Sequence, residues 1–205
     1  GMAPALLVVL DRYENSLHAI HLELQDQHGA SMVRPVIGDV ADEPRMNAVF
    51  ALHRPEIVFH AAAHKHVPLM EDFPCEAIKN NVTGSRILAE ASERHGVDRF
   101  ILISTDKAAN PVNAMGASKR LAELVVRAVA AQSRTTFATV RFGNVLGSNG
   151  SVVPRFLEQI RRGGPVTVTD PEVRRFFMLI PEAVQLVLHA AAQAANGATY
   201  VLEMG

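Results

Sequence analysis

Four side chains able to bind ligands or move protons stand in a row at Ser104-Thr105-Asp106-Lys107. They close an apolar run, Arg99-Phe-Ile-Leu-Ile-Ser104, so hydroxyl, carboxyl and amine emerge together from the end of a strand. A carboxyl beside an amine can give and take protons at a bound ligand. The plainer reading is a loop with a surface ion pair, which contributes little by itself. Farther on, Met115 and Lys119 are four residues apart in a helical pattern and so share one face. A thioether cannot transfer a proton, so the ionic chemistry of that face rests with Lys119. His60, His64 and His66 invite a metal reading, but no nearby cysteine or spaced carboxylate completes a ligand set, and no metal site is expected.

The elements that must position these groups alternate short apolar runs with helical patterns, as βα units around a parallel sheet do. The strands read as Ala5–Leu10, Val33–Ile37, Ile57–Ala61, Arg99–Ser104 and Phe137–Arg141. Between them lie helical stretches at Glu14–His28, Pro44–His53, Pro74–His95 and Ala114–Gln132. Continuous apolar strands imply burial on both faces. Past residue 150 the pattern changes: Gly163–Thr169 and Phe176–Ile180 read as short strands of a smaller lobe, and Pro181 opens a helix through Ala195. The expected organisation is a core over 1–150 and a lobe over 151–205 interleaved with it.

Asp11 ends the first apolar run. In dinucleotide-binding sheets an acid there accepts hydrogen bonds from the adenosine ribose and repels a 2′-phosphate, favouring NAD over NADP, a preference that Arg12 softens. The alternative is a turn or cap aspartate. The glycine-rich turn that holds a pyrophosphate is not found: no Gly-x-Gly-x-x-Gly occurs, and Gly143–Gly150 has the wrong spacing. Either Ala5–Leu10 is the second strand of a Rossmann-type sheet whose first strand and glycine loop are absent, or it opens an unrelated fold. On the first reading, NAD binding by this chain should be weak.

The motifs Asp11–Leu17, Gly38-Asp39-Val40, His60–Pro68, Asn80–Gly84, Ser104–Ala108, Arg141–Gly147 and Pro165–Asp170, in this order and spacing, resemble one family. It is the CapD-like and WbpM-like polysaccharide biosynthesis proteins, the nucleotide-sugar 4,6-dehydratase branch of the extended short-chain dehydrogenase/reductases. The resemblance covers nearly the whole chain. It implies an α/β Rossmann-type parallel sheet with a small C-terminal substrate lobe, and an NAD-dependent dehydratase of UDP-N-acetylhexosamine type. Hydride leaves C4 of the hexose, water leaves across C5 and C6, and hydride returns to C6. By the resemblance Asp106 is the acid and Lys107 the base, while Met115 stands where short-chain dehydrogenases carry a catalytic tyrosine. Thr105, a water or a relay through Lys119 must then deprotonate the C4 hydroxyl. The resemblance also assigns Asp39 and Val40 to the adenine, although Asp39 is alternatively a helix cap. It gives the backbone of Ala61, Ala62 and Ala63, together with Asn81, Ser104 and Lys119, to the rest of the cofactor. His64, Lys65 and Asn144 are implied to face the sugar nucleotide, and Asn81 and Asn144 to lie in loops. Arg141, Arg155, Arg174 and Arg175 are candidates for the diphosphate, since guanidinium groups bind phosphate oxygens bidentately, with Arg175 at the lobe strand foremost over a solvated basic surface.

Composition is consistent with this picture. A net charge of −1 gives no sign of a nucleic-acid partner. One cysteine, Cys75, excludes an internal disulfide and suits a reducing, cytoplasmic compartment. No apolar run approaches the ~20 residues needed to cross a bilayer. Gly1-Met2 reads as a cloning scar, and family members often carry membrane helices ahead of the catalytic domain, which then lies on the cytoplasmic side. A homo-oligomer is compatible with the sequence. Two rivals stay open: a UDP-sugar 4-epimerase, which needs no elimination pair, and a catalytically silent sugar-nucleotide-binding fragment.

Overall fold

The computed structural model describes residues 4–148, 152–168, 170–172 and 174–204. The chain begins β1 (Leu7–Asp11), α1 (Glu14–His28), β2 (Val33–Ile37), α2 (Glu43–His53) and β3 (Ile57–His60). Next come α3 (Val67–Asp72) and a helical stretch in three parts: α4 (Pro74–Ala77), a π-helical turn (Ile78–Thr83) and α5 (Gly84–Arg94). Then follow β4 (Arg99–Thr105), a 3-10 turn (Asp106–Ala108), α6 (Ala114–Ala130) and β5 (Thr136–Phe142). The last elements are β6 (Asn144–Val145), α7 (Val152–Arg161), β7 (Phe177–Met178), α8 (Ile180–Ala192) and β8 (Ala198–Val201).

Every strand pairing is parallel. The main sheet runs β3-β4-β5-β8, with β4 and β5 in register from Arg99↔Thr136 to Thr105↔Phe142. β1 and β2 form a separate two-stranded sheet, and β6 and β7 another. Among the described residues, β1 and β3 therefore each carry one unpaired edge. The two larger sheets still share one core. Val36, Met46 and Phe50 from the β1–β2 side cluster with Ile87, Leu88, Phe100 and Phe137, and Val8, Leu10 and Val58 pack against them. Phe100 and Phe137 are wholly buried with ring centroids 5.3 Å apart; each such side chain contributes about 1.5–3 kcal/mol on burial. A second cluster seats α8 on the other face of the main sheet through Ile101, Val140, Val187 and Ala191. This is a Rossmann-type α/β architecture in which the strands within each sheet run parallel, so the C-terminal ends of the main sheet line one edge, where such sheets hold ligands.

Local chemistry explains several element limits. Asn113 caps α6 by accepting the Gly116 N–H at 2.8 Å, and Asp42 caps α2 by accepting that of Arg45 at 3.0 Å. Asp39, the alternative cap for that helix, instead accepts the Ala41 N–H at 2.9 Å in a turn ahead of it. Gly84, the first residue of α5, packs against Val40 so closely that a Cβ there would lie 2.6 Å from Val40 Cγ2.

One expected strand does not form. Residues 163–168 are irregular, because Gly163 and Gly164 take φ of 89° and 78° ahead of a cis Gly164–Pro165 bond. Thr169 and the 150/151 division lie outside the described residues. The sequence reading also passed over β8, which extends the main sheet beside β5.

Candidate active site

The C-terminal strand ends bring most of the singled-out residues to one edge, in two groups. At the first, Arg12 follows β1 and reaches the loop after β3. Its guanidinium donates to Asp39 at 3.4 Å, to the Tyr13 hydroxyl at 3.1 Å and to His64 Nε2 at 3.2 Å. Arginine only donates, so His64 Nε2 must accept, and that ring is held neutral. Burial and the adjacent Arg12 charge lower its proton affinity, outweighing Glu76 and Asp39. Asp11 accepts the Tyr13 N–H at 2.8 Å and is otherwise exposed. Ala61 and Ala62 are exposed at the end of β3, with only methyl side chains beside their backbone, and Lys65 is exposed beyond them. Asp11 at the end of β1 and Asp39 after β2, with the small residues after β3, are groups of the kind that can hold the adenosine end of a dinucleotide.

Asn81 lies not in a loop but in the π-helical turn, fully buried. Its Oδ1 accepts the His64 N–H at 2.7 Å and Asn80 Nδ2 at 3.0 Å. Its Nδ2 donates to the His64 carbonyl at 3.0 Å and to Ser118 Oγ at 2.9 Å. Ser118 in turn donates to the Met115 carbonyl at 2.7 Å. One amide thus ties the loop after β3 to α6, and the widened turn lets a helical residue reach both. Behind it the Ser85 hydroxyl donates to the Asn81 carbonyl at 2.6 Å, which leaves His60 Nε2 to donate to Ser85 at 2.9 Å. Burial, with a smaller push from Lys119, takes His60 down to about 3, so it is neutral. His60 therefore acts as a core hydrogen-bond donor.

The second group is at the end of β4. Alternation along the strand turns Ser104 and Thr105 to opposite faces. Thr105 Oγ1 donates to Asp106 Oδ1 at 2.8 Å, and the Lys107 ammonium donates to the same oxygen at 3.0 Å. Lys107 Nζ also lies 3.4 Å from Asn144 Oδ1 on β6. Burial raises the Asp106 carboxyl, but hydrogen bonds from Lys107 and Thr105 outweigh it and hold it below its usual range. Thr105, Asp106, Lys107 and Asn144 thus form one chain of contacts at the exposed edge. Gly116 sits beneath them: a Cβ there would lie 2.6 Å from the Lys107 carbonyl oxygen.

Ser104 does not face this edge. It is buried and donates to Glu123 on α6 at 2.6 Å. Met115 packs with Met70 and Ala77, and Lys119, only 5% exposed, donates to the Ile103 carbonyl at 2.7 Å. Arg155 is exposed on α7, and Arg175 folds back onto the Arg174 carbonyl at 2.8 Å, so neither joins the strand-end groups in this arrangement. Sequence reasoning missed Glu123 and Ser118. The signal for Glu123 was present in its spacing, one helical turn after Lys119.

Comparison with known proteins shows the family and the fold. The family model described as "Polysaccharide biosynthesis protein" matches residues 1–205. The capsular polysaccharide biosynthesis protein CapD of Staphylococcus aureus is 52% identical over 204 residues, 98% of this chain but 34% of the relative. The chain thus spans about a third of that relative's length. A UDP-glucose 4-epimerase of Rickettsia canadensis is 40% identical over 168 residues, 80% of this chain and 49% of the relative. Among solved structures, the dTDP-glucose 4,6-dehydratase DesIV of Streptomyces venezuelae, with NAD and DAU bound, superposes with a TM-score of 0.87 at 21% identity. The match covers 99% of this chain and 68% of that one.

Proposed function

This chain belongs to the polysaccharide biosynthesis protein family, and from that premise we propose that it is the catalytic core of an NAD-dependent nucleotide-sugar 4,6-dehydratase acting on a UDP-N-acetylhexosamine. The observation that carries this reading is the Thr105–Asp106–Lys107 chain, with both donors converging on one carboxylate oxygen at 2.8 and 3.0 Å. An oxidation and return of hydride at C4 alone does not need that pair; an elimination does.

Asp11, Arg12, Asp39 and Val40 would hold the adenosine end of NAD, with Ala61, Ala62 and Ala63 offering bare backbone and Lys119 standing near the nicotinamide ribose. Bound NAD would supply the acceptor for the C4 hydride and return that hydride at C6. Met115 has no proton to exchange, so the C4–OH proton passes to Thr105, whose own proton goes to Asp106. Asp106, having taken that proton, is a carboxylic acid, and the Lys107 ammonium gives up its own proton to solvent as the sugar binds, leaving a neutral amine beside it. Exclusion of water by a bound sugar favours that neutral form. Neutral Lys107 then removes the C5 proton, made acidic by the C4 ketone, while Asp106 protonates the C6 hydroxyl as it leaves as water. Lys107 finally returns its proton to C5. Asn144, 3.4 Å from Lys107 Nζ, orients the amine. The exposed Cys75 thiol suits a reducing, cytoplasmic setting for this chemistry.

A 4-epimerase is the second reading, favoured by the Rickettsia relative. Mass spectrometry of UDP-N-acetylglucosamine incubated with the protein and NAD separates the possibilities. Loss of one water supports the dehydratase, and Lys107→Ala should then abolish that loss. An unchanged mass with inverted C4 identifies an epimerase, and no change a silent binding module.

A further inference from the structure

Among the described residues no strand joins β1 to β3, and Arg12 bridges the two sides instead. It stands directly after β1, and two of its contacts stay on that side: Asp39 after β2 at 3.4 Å and the neighbouring Tyr13 hydroxyl at 3.1 Å. The third crosses to His64 Nε2, 3.2 Å away in the loop after β3. His64 is itself fastened by its backbone. Its N–H donates to Asn81 Oδ1 at 2.7 Å and its carbonyl accepts from Asn81 Nδ2 at 3.0 Å. Of the three side chains in this link, only the imidazole titrates near neutrality.

We propose that His64 is a proton-operated latch: as a neutral ring it accepts from Arg12 and holds the β1–β2 sheet to the loop after β3, and as a cation it lets Arg12 go, so that the β1–β2 sheet opens more readily. A guanidinium has hydrogens only to give, so the contact exists while Nε2 keeps its lone pair. A proton there leaves two cations facing each other at 3.2 Å with no acceptor between them. The apolar core shared by Val36, Phe50, Leu88 and Phe100 holds the two sides at any pH, and the latch adds to it only while His64 is neutral. Under the NAD-dependent reading above, the β1–β2 side carries Asp11, Arg12 and Asp39. The consequence for cofactor binding rests on that reading, while the latch itself does not.

Three charged groups face the ring: Arg12 after β1, Asp39 after β2 and Glu76 of α4. The π-helical turn presents the neutral amide of Asn81, and Lys65 and His66, next in the chain, are exposed. The two carboxylates favour the cation. Burial first, and then Arg12, disfavour it and prevail, so the ring takes its proton below its ordinary value of 6.5. A group whose proton affinity is lowered in the closed arrangement supports that arrangement above the ordinary value. The support is lost as pH falls through the lowered midpoint. The latch therefore weakens on acidification.

Amide hydrogen exchange at β1 and β2, corrected for the intrinsic pH dependence of the rates and referred to β4 and β5, reads the latch. From about pH 7.5 to about pH 5.5, across the range in which histidine titrates, protection at β1 and β2 should fall roughly fivefold, as for the loss of one ordinary hydrogen bond. β4 and β5 should hold. His64→Gln offers Arg12 an amide oxygen that does not titrate, so its β1 and β2 protection should stay level over the same range. Level protection in the parent protein, as when protonated His64 turns to Asp39 and keeps the join, overturns the proposal. An equal fall in His64→Gln overturns it too. If His64→Gln does not fold, Arg12→Gln decides: with the cation gone the fall should disappear, and its survival overturns the proposal. Neither sugar nucleotide nor NAD is present, so failure of the dehydratase reading shows only in the mass-spectrometric assay.

Discussion

Asn81 commits both donors and its acceptor to the protein, so its role is to hold other groups still. Asn81→Ala would leave the His64 N–H, the His64 carbonyl and the buried Asn80 amide without this partner. At about 1–3 kcal/mol for each group stranded, urea denaturation should show a loss of several kcal/mol. A conservative loss below 1 kcal/mol would mean the loop after β3 is held by something else. Lys119 offers a second measurement with a definite sign. Its amine titrates near 8 in the fold and near 10.5 when unfolded. Between those pH values the unfolded chain binds the extra proton, so stability should rise with pH by on the order of 3 kcal/mol from this group. Lys119→Met should flatten that rise, read as the urea midpoint measured across the window. Ser104 shows what was legible at this scale. Strand alternation alone dictates that Ser104 and Thr105 cannot both face the ligand edge, and applying it would have turned Ser104 toward α6. The complete engagement of Asn81 was not legible, because it depends on a π-helical turn that no residue pattern announces.

α6 carries the largest share of the arrangement among the elements. Asn113 starts it, Gly116 lets the Lys107 turn settle on it, Ser118 meets Asn81, and Lys119 and Glu123 hold β4. Gly116→Ala places a Cβ 2.6 Å from the Lys107 carbonyl oxygen. The backbone of the catalytic turn must then move, while the buried helix itself gains a better helix former. Dehydration should therefore fall at least tenfold with a melting temperature within a few degrees of the parent. Equal loss of both would show that Gly116 matters only for folding. Elements with strong patterns were readable in advance: Glu14–His28 and Val33–Ile37 are found with those limits, and the Pro74–His95 stretch is helical nearly to its end. Short ones were not. β6 and β7 are two residues each, and β8 is four residues behind Gly197, too brief for alternation to register. At 163–168, valines and threonines mimic a strand, but the two left-handed glycines and the lack of a neighbouring edge leave Val166 and Val168 exposed.

Across the whole molecule the dominant feature is the interval between β1 and β3. The β1–β2 sheet and the main sheet are joined through the shared core around α2 and α5, and through Arg12 reaching His64, not by a strand. Among the described residues no glycine-rich turn and helix start stand at that edge to bind a pyrophosphate. Titration calorimetry of this 205-residue chain with NAD should accordingly give weak binding or none; micromolar affinity would point to phosphate ligands elsewhere in the chain. The same interval should let the molecule open in two steps of unequal cost, despite the shared core. Amide protons on β4 and β5, paired on both sides, should exchange with solvent deuterium only on global opening. Those of β1 and β2 should exchange earlier and together, as a subglobal unit with a lower opening free energy. Whatever closes the interval would then slow exchange in both halves at once, and the protection gained at β1 would report how firmly the dinucleotide edge is held together.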